Sequence, residues 1–478
     1  MSEIEDGANF DYVIVGAGSA GCVLAARLSA DPGVRVALLE AGGSDKSLMV
    51  RMPGGVGGLI SRKGPFNWGF WTAPQTHLGG RTLWQPRGRG WGGSSAINGM
   101  IYTRGHARDY DDWRAAGLVG WGYSDLLPYF KRSEHFAGGA DAWRGEGGPL
   151  WVCQPEEPGL LAKAFVQAGL AAGYPSTPDF NGAQQEGVGF FDLTIKNGER
   201  WSAAAAYLRP ILGKRSNLTV ISHARVTRVL FEKRAAIGVE YLAGRSAKKA
   251  FAAAEVLLCA GALQTPHVLQ LSGVGPGDHL KVHGLPVVLD APGVGANLQD
   301  HLDVSIIYES TKPVSLYSET KGFKRTAAGL DYLLRKQGPG RTNHLHAGAF
   351  LKTRGEVDRP DVQLHFVSTI MIDHGKIAAD RDGFTVHACQ LRPQSRGAVR
   401  LANSDPLRDP LIDPNYLESE LDLRALRDAV RMVRDIVGRA PLDVYRGPEM
   451  RPGAAIVSDR DIDAWIKQTA ETIYHPVG

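Results

Sequence analysis

FDYVIVGAGSAG, residues 10–21, decides the fold. Residues 10–15 are a compact apolar run, which reads as a buried strand. Gly16, Gly18 and Gly21 follow in the G-x-G-x-x-G spacing, and residues 20–30 carry helix formers with apolar spacing. Residues 34–39 (VRVALL) read as a second strand, and Glu40 ends it. This β-turn-α-β unit predicts a parallel sheet covered by helices, an α/β fold. Gly16 permits the tight turn, Gly18 lets backbone approach a pyrophosphate, and Gly21 lets the helix pack on the strand. Phosphates then sit at the helix N-terminus, where free N–H groups and the dipole favour negative charge. Glu40 is placed to hydrogen-bond a ribose hydroxyl, and an acid there disfavours a 2′-phosphate. The motif alone does not separate FAD from NAD.

Outward from this unit, residues 42–105 are rich in Gly, Pro and Trp and have little periodicity. A stretch of that length inside a compact protein reads as functional. Within it, Gly88-Arg89-Gly90-Trp91-Gly92-Gly93-Ser94-Ser95-Ala96-Ile97-Asn98 exposes backbone N–H groups, which suits a phosphate or a flat ring. Interleaved Trp and Ile argue against a flexible linker. Residues 217–230 and 236–242 alternate like strands, and 253–258 is a short apolar run leading to Gly261 and a helix-like stretch at 264–271. Residues 361–367 (DVQLHFV) and 384–391 (FTVHACQL) alternate as in an antiparallel sheet with one face covered. Leu423, Leu426, Val430, Val433 and Val437 recur at helical spacing, predicting an amphipathic helix over 421–437. Ser458 and Asp461 resemble a capping box ahead of a last helix.

The chain has 478 residues, which predicts two domains or more. A net charge of +4 without any Lys/Arg block gives nucleic-acid binding no support, and leaves open a weak attraction to an anionic membrane surface. Cys22, Cys153, Cys259 and Cys389 form no C-x-x-C pair, so neither a dithiol centre nor a metal site is expected. Free thiols fit a reducing cytoplasm. The first ten residues are acidic and polar and do not read as a signal peptide. The most apolar window, 256–271, is broken by Gln264, Pro266, His267 and Gln270, so no spanning helix is expected.

The run 88–98, with Tyr102, Gly105 and Asp111 after it, resembles the first signature of the glucose-methanol-choline (GMC) oxidoreductases. Gly261-Ala262-Leu263-Gln264-Thr265-Pro266 through Leu271-Ser272-Gly273-Val274-Gly275 resembles the second. Gly293-Val294-Gly295-Ala296-Asn297-Leu298-Gln299-Asp300-His301 and Tyr474-His475-Pro476-Val477-Gly478 are similar to two further family segments. The resemblance implies that Gly16, Gly18, Gly21 and Glu40 hold the ADP half of FAD. It places Gly92 and Gly93 with the segment to Ile101 along the flavin, with Asn98, Gly99, Met100 and Ile101 nearest the ring. Arg87, with Trp84, would flank the adenine side, and Val226 would meet adenine through its backbone. Some members tether the flavin through a His at the position of Ile97, so FAD is expected to be noncovalent. His475 is the implied catalytic base, because an alcohol carbon releases hydride readily only as its hydroxyl loses a proton, and imidazole is matched to take it. Asp300 and His301 match the pattern with catalytic and structural roles both open. His344, His346, His365 and His387 are within the part of the chain that could reach a pocket and receive no role.

Residues 9–42, 67–75 and 187–202 and the run His475-Pro476-Val477-Gly478 are most similar to the bacterial choline dehydrogenase-like branch, and within it to membrane-associated dehydrogenases of medium-chain aliphatic alcohols. The implied reaction is oxidation of a primary alcohol to an aldehyde, with electrons passed to a quinone-type acceptor. Choline oxidation, an oxygen-using alcohol oxidase and a lyase or decarboxylase on the same fold are the alternatives. The implied location is the cytoplasm, with a peripheral contact at the inner face of the cytoplasmic membrane left open. The implied architecture is an FAD-binding Rossmann-like domain (1–155 and 200–310, with 466–478 returning to it). A substrate domain with an antiparallel sheet (156–199 and 311–465) packs beside it. Family members continue for tens of residues past the position of Gly478 and carry a second catalytic His or Asn there, so the resemblance implies that the 478-residue chain alone binds FAD poorly and is inactive.

Overall fold

A computed structural model describes residues 5–478; residues 1–4, at the start of the expected first segment and of the stretch read for a signal peptide, lie outside it. The principal elements run β1 (Ala8–Val15), α1 (Ser19–Leu28), β2 (Val36–Glu40), α2 (Leu160–Ala171), β3 (Gly187–Phe190), β4 (Leu218–Ser222), β5 (Ala224–Glu232), β6 (Ala235–Ala243), β7 (Ser246–Leu258) and α3 (Gly261–Leu271). They continue with β8 (Leu302–Ser310), α4 (Phe323–Arg335), β9 (Ala347–Leu351), β10 (Val362–Val367), β11 (Gly383–Gln390), α5 (Glu420–Val437), β12 (Arg446–Arg451), α6 (Asp459–Thr469) and β13 (Glu471–Thr472).

Two sheets organise the chain. The first has the order β4-β2-β1-β7-β6-β5, with β4, β2, β1 and β7 parallel and β7, β6 and β5 antiparallel. All five residues of β2 are buried, as a strand covered on both faces requires. The stretch 217–230, expected as one strand, is two: His223 takes φ +58° between β4 and β5, a left-handed conformation that turns the chain from one edge of the sheet to the other. The second sheet is antiparallel, in the order β12-β8-β11-β10-β9-β3, with β13 beside β8. The strand Leu302–Ser310 therefore belongs to the second sheet, although the expected boundary at 310 grouped it with the first, and β13 pairs there too.

Alternation in the second sheet sets up the site. Leu302, Val304 and Ile306 of β8, Leu364 and Phe366 of β10, and Val386 and Ala388 of β11 point into one core. Helix α5 covers that core with Leu423, Leu426, Val430, Val433 and Val437, the stripe its spacing predicts. The residues between them, Asp303, Ser305, Gln363, His365 and His387, face the other way and line a cavity. Ser458 caps α6, accepting from the Asp461 N–H at 3.2 Å while its hydroxyl donates to the Asp461 carboxylate.

Candidate active site

The turn between β1 and α1 opens a trench of about 460 Å³, lined by Gly16, Gly18, Glu40, Gly93, Val226, Gly261 and Gln264 among others. Two glycines there have a steric reason. Gly16 has φ +98°, and a Cβ on it would lie 2.6 Å from the Cys259 carbonyl oxygen. A Cβ on Gly93 (φ +51°) would lie 2.7 Å from Gly18 Cα, closing the trench where α1 begins. Helix α1 has no side-chain cap, so its first N–H groups are left for a ligand. The Glu40 carboxylate accepts from the N–H groups of Ala17 (2.8 Å), Gly42 (2.7 Å) and Gly90 (2.9 Å), tying the glycine turn to the 88–98 loop. Burial pushes its pKa up against these three donors. Arg225 Nη2 and Gln264 Nε2 are buried without a hydrogen-bond partner and line the same trench, two donors for an acceptor-rich ligand. An ADP group supplies such acceptors in its ribose, base and phosphates, so the residues present fit that half of FAD.

A second cavity of about 490 Å³ lies against the second sheet. Asn98, Gly99, Met100 and Ile101 form one wall, and His365, His387, Tyr474 and His475 stand around it. Arg87 and Ser94 line both spaces and mark where trench and cavity meet. The 95–101 wall is fixed from behind by Arg200, whose Nη1 donates to the Asn98 carbonyl (2.6 Å) and to its side-chain oxygen (2.9 Å), while Nε donates to the Val50 carbonyl (2.9 Å). Burial lowers the pKa of this guanidinium to about 9.

His475 is held from two directions. Its backbone N–H donates to Asp300 Oδ1 at 2.8 Å. Asp300 Oδ2 accepts from Gln85 Nε2 (2.9 Å), the Thr472 hydroxyl (2.6 Å) and the Tyr416 hydroxyl (2.5 Å). The ring is set by a histidine pair: His475 Nδ1 lies 3.1 Å from His301 Nδ1, and His301 Nε2 lies 3.0 Å from the Leu391 carbonyl. A carbonyl only accepts, so His301 Nε2 carries the proton and its Nδ1 is the acceptor. His475 then donates from Nδ1, which leaves its Nε2 unprotonated. His475 lines the cavity and is exposed there, although protein atoms crowd the ring on its other sides. Burial, with His301, His365 and Arg87 adding to it, pushes its pKa well below the ordinary imidazole value, so the neutral form prevails near neutral pH.

The structure thus gathers Gly16, Gly18, Glu40, Gly93 and Val226 at the trench, and Asn98, Gly99, Met100, Ile101 and His475 at the cavity. Gly21 and Gly92 act one step back. A Cβ on Gly21 would sit 1.9 Å from the Gly16 oxygen, and the Gly92 N–H donates to the Ala17 carbonyl at 2.8 Å. Trp84 donates from Nε1 to the Ile60 carbonyl and lines neither space; Trp68 lines the trench instead. Of the other histidines, His365 and His387 line the cavity, whereas His344 bonds the Pro339 carbonyl and His346 the Thr342 hydroxyl. Sequence reasoning missed Arg200, Arg225 and Asp303. Among the described residues no group of acidic, His or Cys side chains is arranged to hold a metal.

Models of the GMC oxidoreductase family match residues 10–303 and 393–478. The chain is 45% identical over 468 residues to an oxygen-dependent choline dehydrogenase of Brucella anthropi, covering 98% of this chain and 85% of that protein. It is 44% identical over 475 residues to the mitochondrial choline dehydrogenase of Homo sapiens, covering 98% and 80%. Among solved structures it is similar to pyridoxine 4-oxidase from Mesorbium loti (TM-score 0.88, 33% identity, 98% and 88% covered). It is also similar to an FAD-dependent oxidoreductase from Chaetomium thermophilum (TM-score 0.87, 27% identity, 98% and 89% covered). With a glycine-built trench that fits ADP meeting a histidine-lined cavity at Arg87 and Ser94, this chain belongs to the GMC oxidoreductase family of FAD-binding flavoenzymes.

Proposed function

We propose that the protein oxidises a primary aliphatic alcohol to its aldehyde, with His475 as base. The observation that carries this is the Leu391–His301–His475 hydrogen-bond chain, which engages His475 Nδ1 and so leaves Nε2 of this cavity-lining ring as the nitrogen free to accept. The alcohol hydroxyl donates to that nitrogen and gives up its proton there, while Asp300 keeps the His475 backbone in place. FAD, when bound, supplies the acceptor for the hydride leaving the carbon. The segment 97–101, braced by Arg200, orients the reacting face. Val56, Ile60, Leu345, Met371, Ile372 and Ile377 give the cavity an apolar side that suits an alkyl chain.

FAD is held noncovalently in this reading, because Ile97 offers no nucleophile at the tethering position; acid precipitation releasing all yellow colour into the supernatant checks it. The reduced enzyme passes electrons to a quinone-type acceptor, and the protein works in the cytoplasm at the membrane surface. Among the described residues no helix is long and apolar enough to cross a membrane, which fits a peripheral association.

One observation favours choline as a second reading. Asp303 Oδ1 is buried without a partner in the cavity, and a carboxylate there can face a cation. Against it, Asp303 Oδ2 already engages His387 Nδ1 at 2.6 Å, and Trp465 and Tyr474 are the aromatic rings of the cavity lining. The deciding experiment appends the C-terminal segment of its relatives to the chain, loads the protein with FAD and adds 1-octanol or choline without oxygen. Bleaching of the flavin band by octanol supports the proposal, bleaching by choline alone replaces it with the second reading, and a folded protein that takes up no flavin refutes both.

A further inference from the structure

Arg200 is 2% exposed, comparable to the buried arginines that the fold pairs with acids. Arg144 meets Glu134, Asp179 and Asp192, and Arg104 meets Glu134. Arg200 meets no carboxylate among the described residues: burial pushes its pKa down, and no acid pulls it back. The neighbouring carboxylate, Glu199, turns to Lys336 at 3.2 Å. The guanidinium donates to neutral oxygens, the carbonyls of Val50, Ser95 and Asn98 and the Asn98 side chain. Its Nη2 is buried without a partner. Carbonyl dipoles offset part of the cost of burying the group, as they do at a helix C-terminus, but they leave its net charge in place. A buried charge without a counter-ion is destabilising, and such groups gather where function needs the charge.

What this charge stands behind is the wall of the site. Ser94 marks where trench and cavity meet, and Asn98, Gly99, Met100 and Ile101 line the cavity. Asn98 bonds Arg200 and borders the cavity, while Arg200 lines neither space. One thickness of chain therefore separates the charge from the cavity. The acids of the cavity lining are engaged elsewhere: Asp303 with His387, Asp373 with Lys376 and Glu471 with Arg81. A charge in the protein interior is screened less than in water, so it acts across that thickness.

We propose that Arg200 stabilises the negative charge that FAD gains on reduction, and so raises the potential at which the enzyme takes up hydride. Two electrons enter the ring, and a fixed positive charge close by favours the state that holds them. Arg200 is thus a positioning residue with a second task. Its hydrogen bonds hold the 95–98 stretch, and its unanswered charge acts through that stretch on the cofactor.

The inference needs FAD against this wall but no alcohol, so it fails separately from the proposed oxidation. The chain, extended by the C-terminal segment of its relatives and loaded with FAD, is reduced alongside a dye of known potential. Arg200→Gln should lower the flavin potential by about 30 mV, a tenfold loss in the equilibrium of a two-electron couple. Arg200→Lys keeps the charge and loses the planar fork, and should stay within about twofold of the wild-type equilibrium. Asn98 Oδ1 lies 2.9 Å from Arg200 Nη1, so Asn98→Asp answers the charge with the brace in place. It should lower the potential as Arg200→Gln does, and it carries the test if Arg200→Gln does not retain flavin. Flavin content and circular dichroism report on folding. A wild-type potential in Arg200→Gln or in Asn98→Asp would leave Arg200 a brace only and overturn the inference. Equal shifts in Arg200→Lys and Arg200→Gln would do the same, since the fork and not the charge would then set the potential.

Discussion

Asp300→Asn isolates the anchoring of His475. The carboxylate accepts four donors: the His475 N–H at Oδ1, and Gln85, Tyr416 and Thr472 at Oδ2. An amide has one accepting oxygen. Placed toward the three side chains, it turns an NH₂ group on the His475 N–H and that bond is lost. A hydrogen bond to a charged group contributes about 1.5–3 kcal/mol, and the remaining three weaken with the loss of charge. The substitution also removes the negative charge that offsets the buried Arg87 guanidinium, whose pKa burial already pushes down. A cost of about 3 kcal/mol, concentrated on residues 472–476, frees the backbone that carries the base. Displacing a catalytic group by about 1 Å costs up to about a hundredfold in rate, so kcat should fall about ten- to a hundredfold. The assay is anaerobic flavin reduction by stopped flow, with flavin content and the pH profile measured alongside. The acid limb of the profile should stay in place, because His301 and not Asp300 sets the His475 ring. Wild-type kcat and full flavin content in Asp300→Asn would refute the anchoring argument.

Four further outcomes follow from the same geometry. His475→Asn should keep its flavin and lose about 10²–10⁴ in the rate of flavin reduction, and His301→Phe should lose about tenfold or more while moving the acid limb, both read by stopped flow. The His475 pKa is depressed in the folded protein, so turnover should hold as pH falls below the ordinary imidazole pKa of about 6.5 and drop only well beneath it. Burial lowers His365 to about 3 and His267 to about 4. The unfolded chain binds protons at these sites before the native one does, so stability should decline as pH falls from about 6.5 toward those values, by at most about 1.4 kcal/mol per pH unit and site, and His365→Gln should flatten the decline in denaturant midpoints measured against pH. Gly93→Ala should abolish flavin uptake without unfolding the second sheet, checked by visible absorbance and circular dichroism, whereas Asp303→Leu should leave octanol reduction within a few-fold of wild type and abolish any reduction by choline.

The glycine-lined trench was legible because its needs are local. Gly16, Gly18 and Gly21 are called for by a turn, an approach and a packing contact that a dozen residues of chain contain. The α5 stripe was legible for the same reason, its five apolar positions repeating at one spacing. What could not be read were pairings at long range. His301 and His475 are 174 positions apart, and Arg200 and Asn98 are 102 apart. Nothing in either neighbourhood marks the partner. Strand β8 was missed although it alternates, since Asp303 and Ser305 look like a solvent face until the cavity across from them is known. The break at His223 escaped because a left-handed histidine leaves no mark in an alternating pattern.

The last stretch of the described chain ties the two spaces into one device. Pro476 lines the trench and His475 the cavity, while Arg87, which borders both, donates from Nη2 to the Tyr474 carbonyl. One short loop therefore touches the expected seat of FAD and carries the proposed base. Loss of the loop's anchor and loss of the base must then differ in kind. Asp300→Asn loosens Pro476 along with His475, so flavin retention and kcat should fall together across a temperature series. His475→Asn keeps the anchor, so kcat should fall at constant flavin content. If the two variants lost flavin and rate in the same proportion, the loop would not be the common support, and Asp300 would have to act on the base through its charge alone.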